Sequence, residues 1–319
     1  MYSREVINLA PNNQIFKVAY CSLLGDGLKK SFHTTAVLYS KNNKSLTDGA
    51  LTEGESELNP YWVTGFTDAE GSFIVSITEN NTRVVGWRVQ AIFSISLDGK
   101  DKELLDKIQA YFAVGHVIQN KNGTVSYQVK SHESLNSIII PHFKKYPLLT
   151  QKKVDFVLFS EIVNLIMQNQ HLTEEGLNKI GGLRALLNKG LTGKLVEKFS
   201  THVGKRPVVE LTENIDKYWL AGFVDGEGCF NVSIPRSKTK IGFRVQLNFN
   251  ISQHIRDTAL FFVIQKHLNC GNVNEVPEKA RVNYVVTKFA DIINIIIPFF
   301  REYPLIGVKR LNFLRSGFL

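Results

Sequence analysis

Several runs of this chain alternate apolar and polar residues with a period of two, and each follows a segment whose apolar positions fall at helical spacing. After Glu70, Phe73, Val75 and Ile77 point one way while Ser72, Ser76, Thr78 and Asn80 point the other. In the next run Trp87, Val89, Ala91, Phe93 and Ile95 alternate with Arg88, Gln90, Ile92, Ser94 and Ser96. Far downstream, Phe243, Val245, Leu247, Phe249 and Ile251 alternate in the same way with Arg244, Gln246, Asn248, Asn250 and Ser252. Each run predicts a strand with one face in a core. Upstream of the first, Trp62, Val63 and Phe66 mark a helix, with Asn59 placed to cap it and Pro60 as its first residue. Asp216 offers the cap of a second such helix.

The pattern is a duplication. YWVTGFTDAEGSF at 61–73 returns as YWLAGFVDGEGCF at 218–230, so Glu70 and Glu227 stand 157 positions apart. GWRVQAIFSIS from Gly86 answers GFRVQLNFNIS from Gly242, and SIIIPHFKKYPLLTQKKVDF from Ser137 answers NIIIPFFREYPLIGVKRLNF from Asn294. Three ordered blocks predict a tandem pseudo-dimer: a first domain over 58–193, a linker over 194–211 carrying Gly204 and Pro207, and a second domain over 212–319. Copy one continues past Phe156 through two helical patterns, LFSEIVNLIMQNQ and LTEEGLNKIGGLRALLNKG. Copy two stops six residues after the equivalent Phe313, so it reads as shortened.

Composition narrows the function classes. The 319 residues are 44% hydrophobic, and the longest apolar stretch is broken by Asn294 and Pro298, which argues against a membrane span. Cys21, Cys229 and Cys270 have no paired spacing, so neither a disulfide framework nor a zinc site is expected. The formal charge of +9 favours a polyanionic partner.

Within the repeated segment, Gly65 and Ala69 lie four apart, as do Gly222 and Gly226, which gives each helix a strip of small residues. If the helices pack along these strips, Glu70 and Glu227 emerge together where both helix dipoles are negative. Such a pair needs compensation, and a divalent cation held by both carboxylates and by last-turn carbonyls would supply it. The alternative is a plain packing motif with solvated helix ends.

The polar sheet faces carry Ser, Thr, Asn, Gln and Arg, the side chains that bond base edges and phosphates. From Gly228 to Arg256 there is no acidic residue, while Arg236, Lys238, Lys240 and Arg244 are basic. The candidate DNA contacts are Ser72, Ser76, Thr78, Asn80, Arg83, Arg88, Gln90, Ser94 and Ser96 in copy one. In copy two they are Asn231, Ser233, Arg236, Lys238, Lys240, Arg244, Gln246, Asn248, Asn250 and Ser252. A solvated sheet face is the alternative. The unlike pairs, Ile92 with Asn248 and Ser94 with Asn250, predict a target that is only partly palindromic.

VTGFTDAEG and LAGFVDGEG resemble the signature of the LAGLIDADG homing endonucleases, and YPLLTQKK and YPLIGVKR resemble the single-chain branch found in fungal mitochondrial introns. The resemblance covers about residues 58 to 319. It implies an α+β fold of two αββαββα units, with the signature helices at the central interface and two saddle-shaped antiparallel sheets astride DNA. It also implies a site-specific, metal-dependent endonuclease cutting both strands, with Glu70 and Glu227 as catalytic metal ligands and carbonyls of Ala69 and Gly226 as further ligands. Mg²⁺, or another divalent ion such as Mn²⁺, would be the cofactor, and double-stranded DNA the partner of a monomer acting in the mitochondrion. Gln90 and Gln246 are candidates for ordering catalytic water, or else simple base contacts. An intron RNA maturase and a catalytically inactive DNA-binding protein are the rival functions. Members of this branch often set a lysine where Asn274 stands, so a helper cation is expected to be missing. Residues 1–57 match neither copy and read as a reading-frame extension, disordered, or as a mitochondrial transit segment.

Overall fold

A computed structural model of the chain describes residues 58–188, 190–199, 205–208, 212–238, 240 and 242–315; the expectations for residues 1–57 lie outside them. The first half begins with α1 (Pro60–Glu70), β1 (Gly71–Glu79) and β2 (Trp87–Asp98), followed by α2 (Lys102–Phe112), β3 (His116–Gln119) and β4 (Thr124–Val129). A short α3 (His132–Ser134) then passes through a π-helical turn at Leu135–Ile139 into α4 (Ile140–Lys145), and α5 (Lys152–Met167), α6 (Glu174–Leu186) and α7 (Lys194–Phe199) complete the half. The second half repeats the order with α8 (Lys217–Glu227), β5 (Gly228–Ser233), β6 (Gln246–His254), α9 (Thr258–Leu268), β7 (Asn272–Val276) and β8 (Arg281–Val286). It closes with α10 (Phe289–Asp291), a π turn at Ile292–Ile296, α11 (Ile297–Glu302) and α12 (Lys309–Arg315). The expected αββαββα unit is therefore present twice.

Both caps read from the sequence form. Asn59 Oδ1 accepts from Tyr61 N, and Asp216 Oδ1 accepts from Tyr218 N and Trp219 N. Each sheet is antiparallel, in the orders β1-β2-β4-β3 and β5-β6-β8-β7. The register places Phe73 opposite Phe93 and Phe230 opposite Phe249, so the apolar halves of the alternation share one face and stack, with ring centroids 5.4 and 5.0 Å apart.

The two sheets are backed unequally. On the first, the Arg184 Nε donates to the Val75 carbonyl at 2.7 Å and the Asn188 amide donates to the Phe73 carbonyl at 2.8 Å, which ties α6 and its C-terminal turn to the edge strand. Residues 194–199, expected to open a linker, instead form α7. Its Phe199 is buried against Trp87, with ring centroids 5.9 Å apart, and Gly181 has no room for a Cβ beside that ring. An amphipathic turn that buries an aromatic residue belongs to the half it packs on, even between glycines. On the second sheet, β5 ends at Ser233, and Val245 is 67% exposed where its counterpart Val89 is 6% exposed. Less covered apolar surface means a lower free energy of local opening. Hydrogen exchange is expected to show the amides of β5 and β6 opening more readily than those of β1 and β2, with target DNA narrowing the gap. Equal protection without DNA would contradict this.

One buried histidine adds a pH term. His142 Nε2 lies 3.1 Å from Thr64 Oγ1 and its Nδ1 lies 3.2 Å from the Tyr111 hydroxyl, and burial pushes its pKa from 6.5 down to about 4. The fold excludes a proton that the unfolded chain takes up, so the stability is complete above pH 6.5 and is lost as pH falls towards 4. By pH 5 the loss amounts to about 2 kcal/mol. Phe299 occupies the same place in the second half, so His142→Phe should lose about 2 kcal/mol less than the wild type between pH 7.5 and 5 in denaturant titrations. Parallel losses would refute the assignment.

Candidate active site

The site is built on α1 and α8, which touch backbone to backbone. A Cβ on Gly65 would stand 1.9 Å from the Trp219 carbonyl oxygen, and one on Gly222 would stand 2.1 Å from that of Trp62. Lower down, a Cβ on Gly226 would meet the Ala69 methyl at 2.2 Å and Glu70 Oε1 at 3.5 Å. The small-residue strips thus bring the two helix ends, and with them Glu70 and Glu227, to the same place.

The other signature acids do structural work. Asp68 is buried and accepts from Leu149 N at 2.8 Å, Thr150 Oγ1 at 2.6 Å and, across the interface, Trp219 Nε1 at 2.8 Å. Asp225 accepts from Ile306 N at 2.6 Å and Gly307 N at 3.0 Å, but its Oδ1 and the Trp62 indole nitrogen are both buried without partners. Burial raises both carboxyls, Asp225 to about 6, and the hydrogen bonds from Leu149 and Thr150 to Asp68 and from Ile306 and Gly307 to Asp225 act against that rise. These bonds hold the 148–150 and 305–307 loops against the helix ends, and the next residues carry cations.

Those cations are Lys152 and Lys309, at the N-termini of α5 and α12. The Lys152 ammonium donates to the carbonyls of Thr67 at 2.9 Å and Ala69 at 3.2 Å, and the Lys309 ammonium donates to the carbonyl of Gly226. Burial raises the pKa of Glu70 and Glu227, and the Glu70 charge raises Glu227 further, while both lysines act against that rise. Burial also lowers the two lysines, and the carboxylates oppose that lowering. The result is two carboxylates and two ammoniums sharing a partly buried cluster. Gln253 completes it, donating from Nε2 to Glu227 Oε1 at 3.1 Å.

Three expectations change here. Gln90 pairs with Ser76, five residues along β2 from Ile95, which lies opposite Gly71. At about 3.4 Å per residue it is about 17 Å from the carboxylate end. Gln246 pairs with Ser233 at the far end of β5 and donates to Asn248 Oδ1 at 2.9 Å. Neither stands where it could order water at the acids; both belong to the polar sheet faces. The absent helper cation is also corrected. Asn274 lies on β7 opposite Asn283, and the cations come from the first residues of α5 and α12 instead. Finally, Ser94 lies on the polar face between Ser72 and Gln128 but is only 4% exposed, so its neighbours cover it.

The remaining candidates lie along the sheets or at their tips. Ser72, Thr78, Arg83, Arg88, Ser96, Asn231, Arg236, Lys238, Lys240 and Arg244 are exposed. Ser76, Asn80, Ser233, Asn248, Asn250 and Ser252 are half-buried. Several are held by each other: the Asn248 amide donates to Asn231 Oδ1 and Ser233 Oγ, and the Ser252 hydroxyl donates to Asn283 Oδ1. The register adds Ser126 and Gln128 on β4 and Asn283 on β8 to the same faces.

The comparisons agree with this arrangement. The family model for LAGLIDADG endonucleases matches residues 63–163 and again 220–316. A "Probable intron-encoded endonuclease 3" of Neurospora crassa is 40% identical over 263 residues, spanning 81% of this chain and 49% of its own length. A second Neurospora crassa protein, "Probable intron-encoded endonuclease 2", is 41% identical over 271 residues, 81% of this chain and 59% of its own. The chain thus spans about half the length of these curated relatives. Among solved structures, the I-SmaMI LAGLIDADG homing endonuclease bound to cleaved DNA superimposes with a TM-score of 0.78 at 41% identity, covering 81% of this chain and 87% of that one. Two copies of the family's signature helix, packed at a shared pair of carboxylates beneath two antiparallel sheets, make this chain a member of the LAGLIDADG endonuclease family.

Proposed function

We propose that the chain cuts both strands of duplex DNA at a long, partly palindromic site, as a monomer whose two halves act as a pseudo-dimer. The observation that carries this reading is the convergence of Glu70 and Glu227 at the foot of the α1–α8 pair, with a lysine ammonium against each helix end. The similarity to the I-SmaMI complex with cleaved DNA supports it.

A divalent ion fits the donors present. Among the described residues no cluster of three His, Cys, Asp or Glu offers a metal cage, but two carboxylates and the Ala69 and Gly226 carbonyls are hard oxygens of the kind Mg²⁺ or Mn²⁺ takes along with substrate phosphate. Bound there, such an ion supplies charge neutralisation and an activated water for phosphodiester hydrolysis. The protein's own groups do the rest. Gln253 fixes the Glu227 carboxylate, and the Lys152 and Lys309 ammoniums, which donate to the helix-end carbonyls here, would turn towards the scissile phosphates and offset the charge that develops there. The polar sheet faces hold the duplex by base-edge and phosphate contacts. The intron-encoded description of the Neurospora relatives supports the mitochondrion as the place of action.

Selection of cleaved duplexes from a randomised library in Mg²⁺ tests the proposal. The expected site is only partly two-fold symmetric, because Ile92 stands opposite Ile74 while its counterpart Asn248 stands opposite Asn231. A perfectly symmetric site would contradict the recognition model, and no enriched site would contradict the cleavage reading.

A further inference from the structure

The first half carries a basic pocket at the far end of β2, away from the carboxylates. β2 pairs with β4 only from Phe93 onwards, so the edge from Trp87 to Ile92 is open on that side. A cavity of about 230 Å³ lies there, with Arg83, Arg88, Lys130, His132 and His171 on its walls and Trp87, Val89 and Leu172 among its apolar lining. The carboxylate nearest along the strands, Glu79 opposite Trp87, is taken by Lys194 at 3.0 Å. Five basic side chains from four separate segments therefore converge with no acid among the lining residues.

The histidines mark the pocket as built for a ligand. His171 Nδ1 is buried without a hydrogen-bond partner. Burial lowers both His132 and His171, and the His132 and Arg83 charges lower His171 further, with only the Ile166 carbonyl favouring its charged form. Basic groups gathered in a partly desolvated place repel one another, and an anion between them would offset that repulsion and favour the protonated imidazoles. A water takes about 30 Å³ in the liquid, so the cavity has room for a tetrahedral oxyanion and several waters. The guanidinium forks, an ammonium and imidazole N–H groups suit phosphate oxygens. The second half does not repeat the site, because Lys130 and His132 correspond to Thr287 and Phe289.

We propose that this pocket binds a phosphate group, and that in the DNA complex it seats one backbone phosphate at the outer flank of the first half-site only. The second clause rests on the DNA-binding reading above; the first does not. Seating at one end would fix which half of an almost symmetric target each half of the protein takes.

Two arms test the proposal on the full chain. In the first, inorganic phosphate is titrated into histidine-labelled protein and the imidazole NMR signals are followed. Saturable shifts of His132 and His171 are expected, and these should weaken about ten-fold in Lys130→Gln, an exposed position where the fold is unaffected. In the second, neutral methylphosphonates replace single phosphates along both flanks of the target. One position beside the first half is expected to weaken wild-type binding about ten-fold and to leave Lys130→Gln binding unchanged, with the salt slope of binding reduced by about one. Phosphate shifts without any methylphosphonate effect would support the anion site and assign it to free phosphate instead of DNA. No saturable shift of either histidine would overturn the proposal whether or not the protein cuts DNA.

Discussion

Glu70→Gln and Glu227→Gln are each expected to abolish double-strand cleavage, slowing it by at least about 10³-fold, the scale on which removing a transition-state charge contact acts. Target binding should stay within a few-fold. The change is isosteric, and at position 227 an amide oxygen can still accept from Gln253, now 3.1 Å from the carboxylate. What disappears is the negative charge that offsets a divalent ion and that Lys152 and Lys309 balance in its absence. Strand-resolved cleavage assays on labelled duplex, with binding measured in parallel, check the expectation. Unimpaired cutting of both strands by either variant would remove the assignment.

Gly222→Ala should be among the most damaging substitutions outside the chemistry. Its Cβ would stand 2.1 Å from the Trp62 carbonyl oxygen and 2.9 Å from the Phe66 nitrogen, and both are backbone atoms that cannot rotate away. The helices would have to separate, at the upper end of overpacking costs or beyond, at least about 3 kcal/mol. Separation also moves Glu70 away from Glu227, so activity at a temperature where the variant remains folded should fall at least about 100-fold. Denaturant unfolding and single-turnover cleavage measure the two effects. A variant of wild-type stability would mean that α1 and α8 do not meet as described.

The duplication made much of this legible in the chain. A helix cap, a small-residue strip and a two-residue alternation each carry weak information, but their recurrence at one spacing fixed the helix pair, the sheet faces and the paired acids. Alternation reports which face a residue is on and nothing about its distance from the strand's end, and so Gln90 and Gln246 were assigned to the right face but the wrong end. Gln253 escaped because its counterpart in the first half is Leu97, so a search guided by repetition passes over it. Lys152 and Lys309 did recur, at the same spacing as Glu70 and Glu227, inside YPLLTQKK and YPLIGVKR. A lysine at the start of a helix reads as surface charge until the fold shows that Asp68 and Asp225 pin the preceding loops beneath the signature helices. The 194–199 segment was lost between glycines because one buried Phe199, a tertiary contact, decides its structure.

Anomalous diffraction from crystals of the protein with uncut target duplex and Mn²⁺ tests whether Glu70 and Glu227 share the catalytic ion. Manganese is expected to be bound by Glu70 and Glu227 together with the Ala69 and Gly226 carbonyls, with the Lys152 and Lys309 ammoniums turned from those carbonyls towards the DNA phosphates. Manganese bound elsewhere, with both ammoniums still on the helix ends in a complex that cleaves when released, would contradict that expectation.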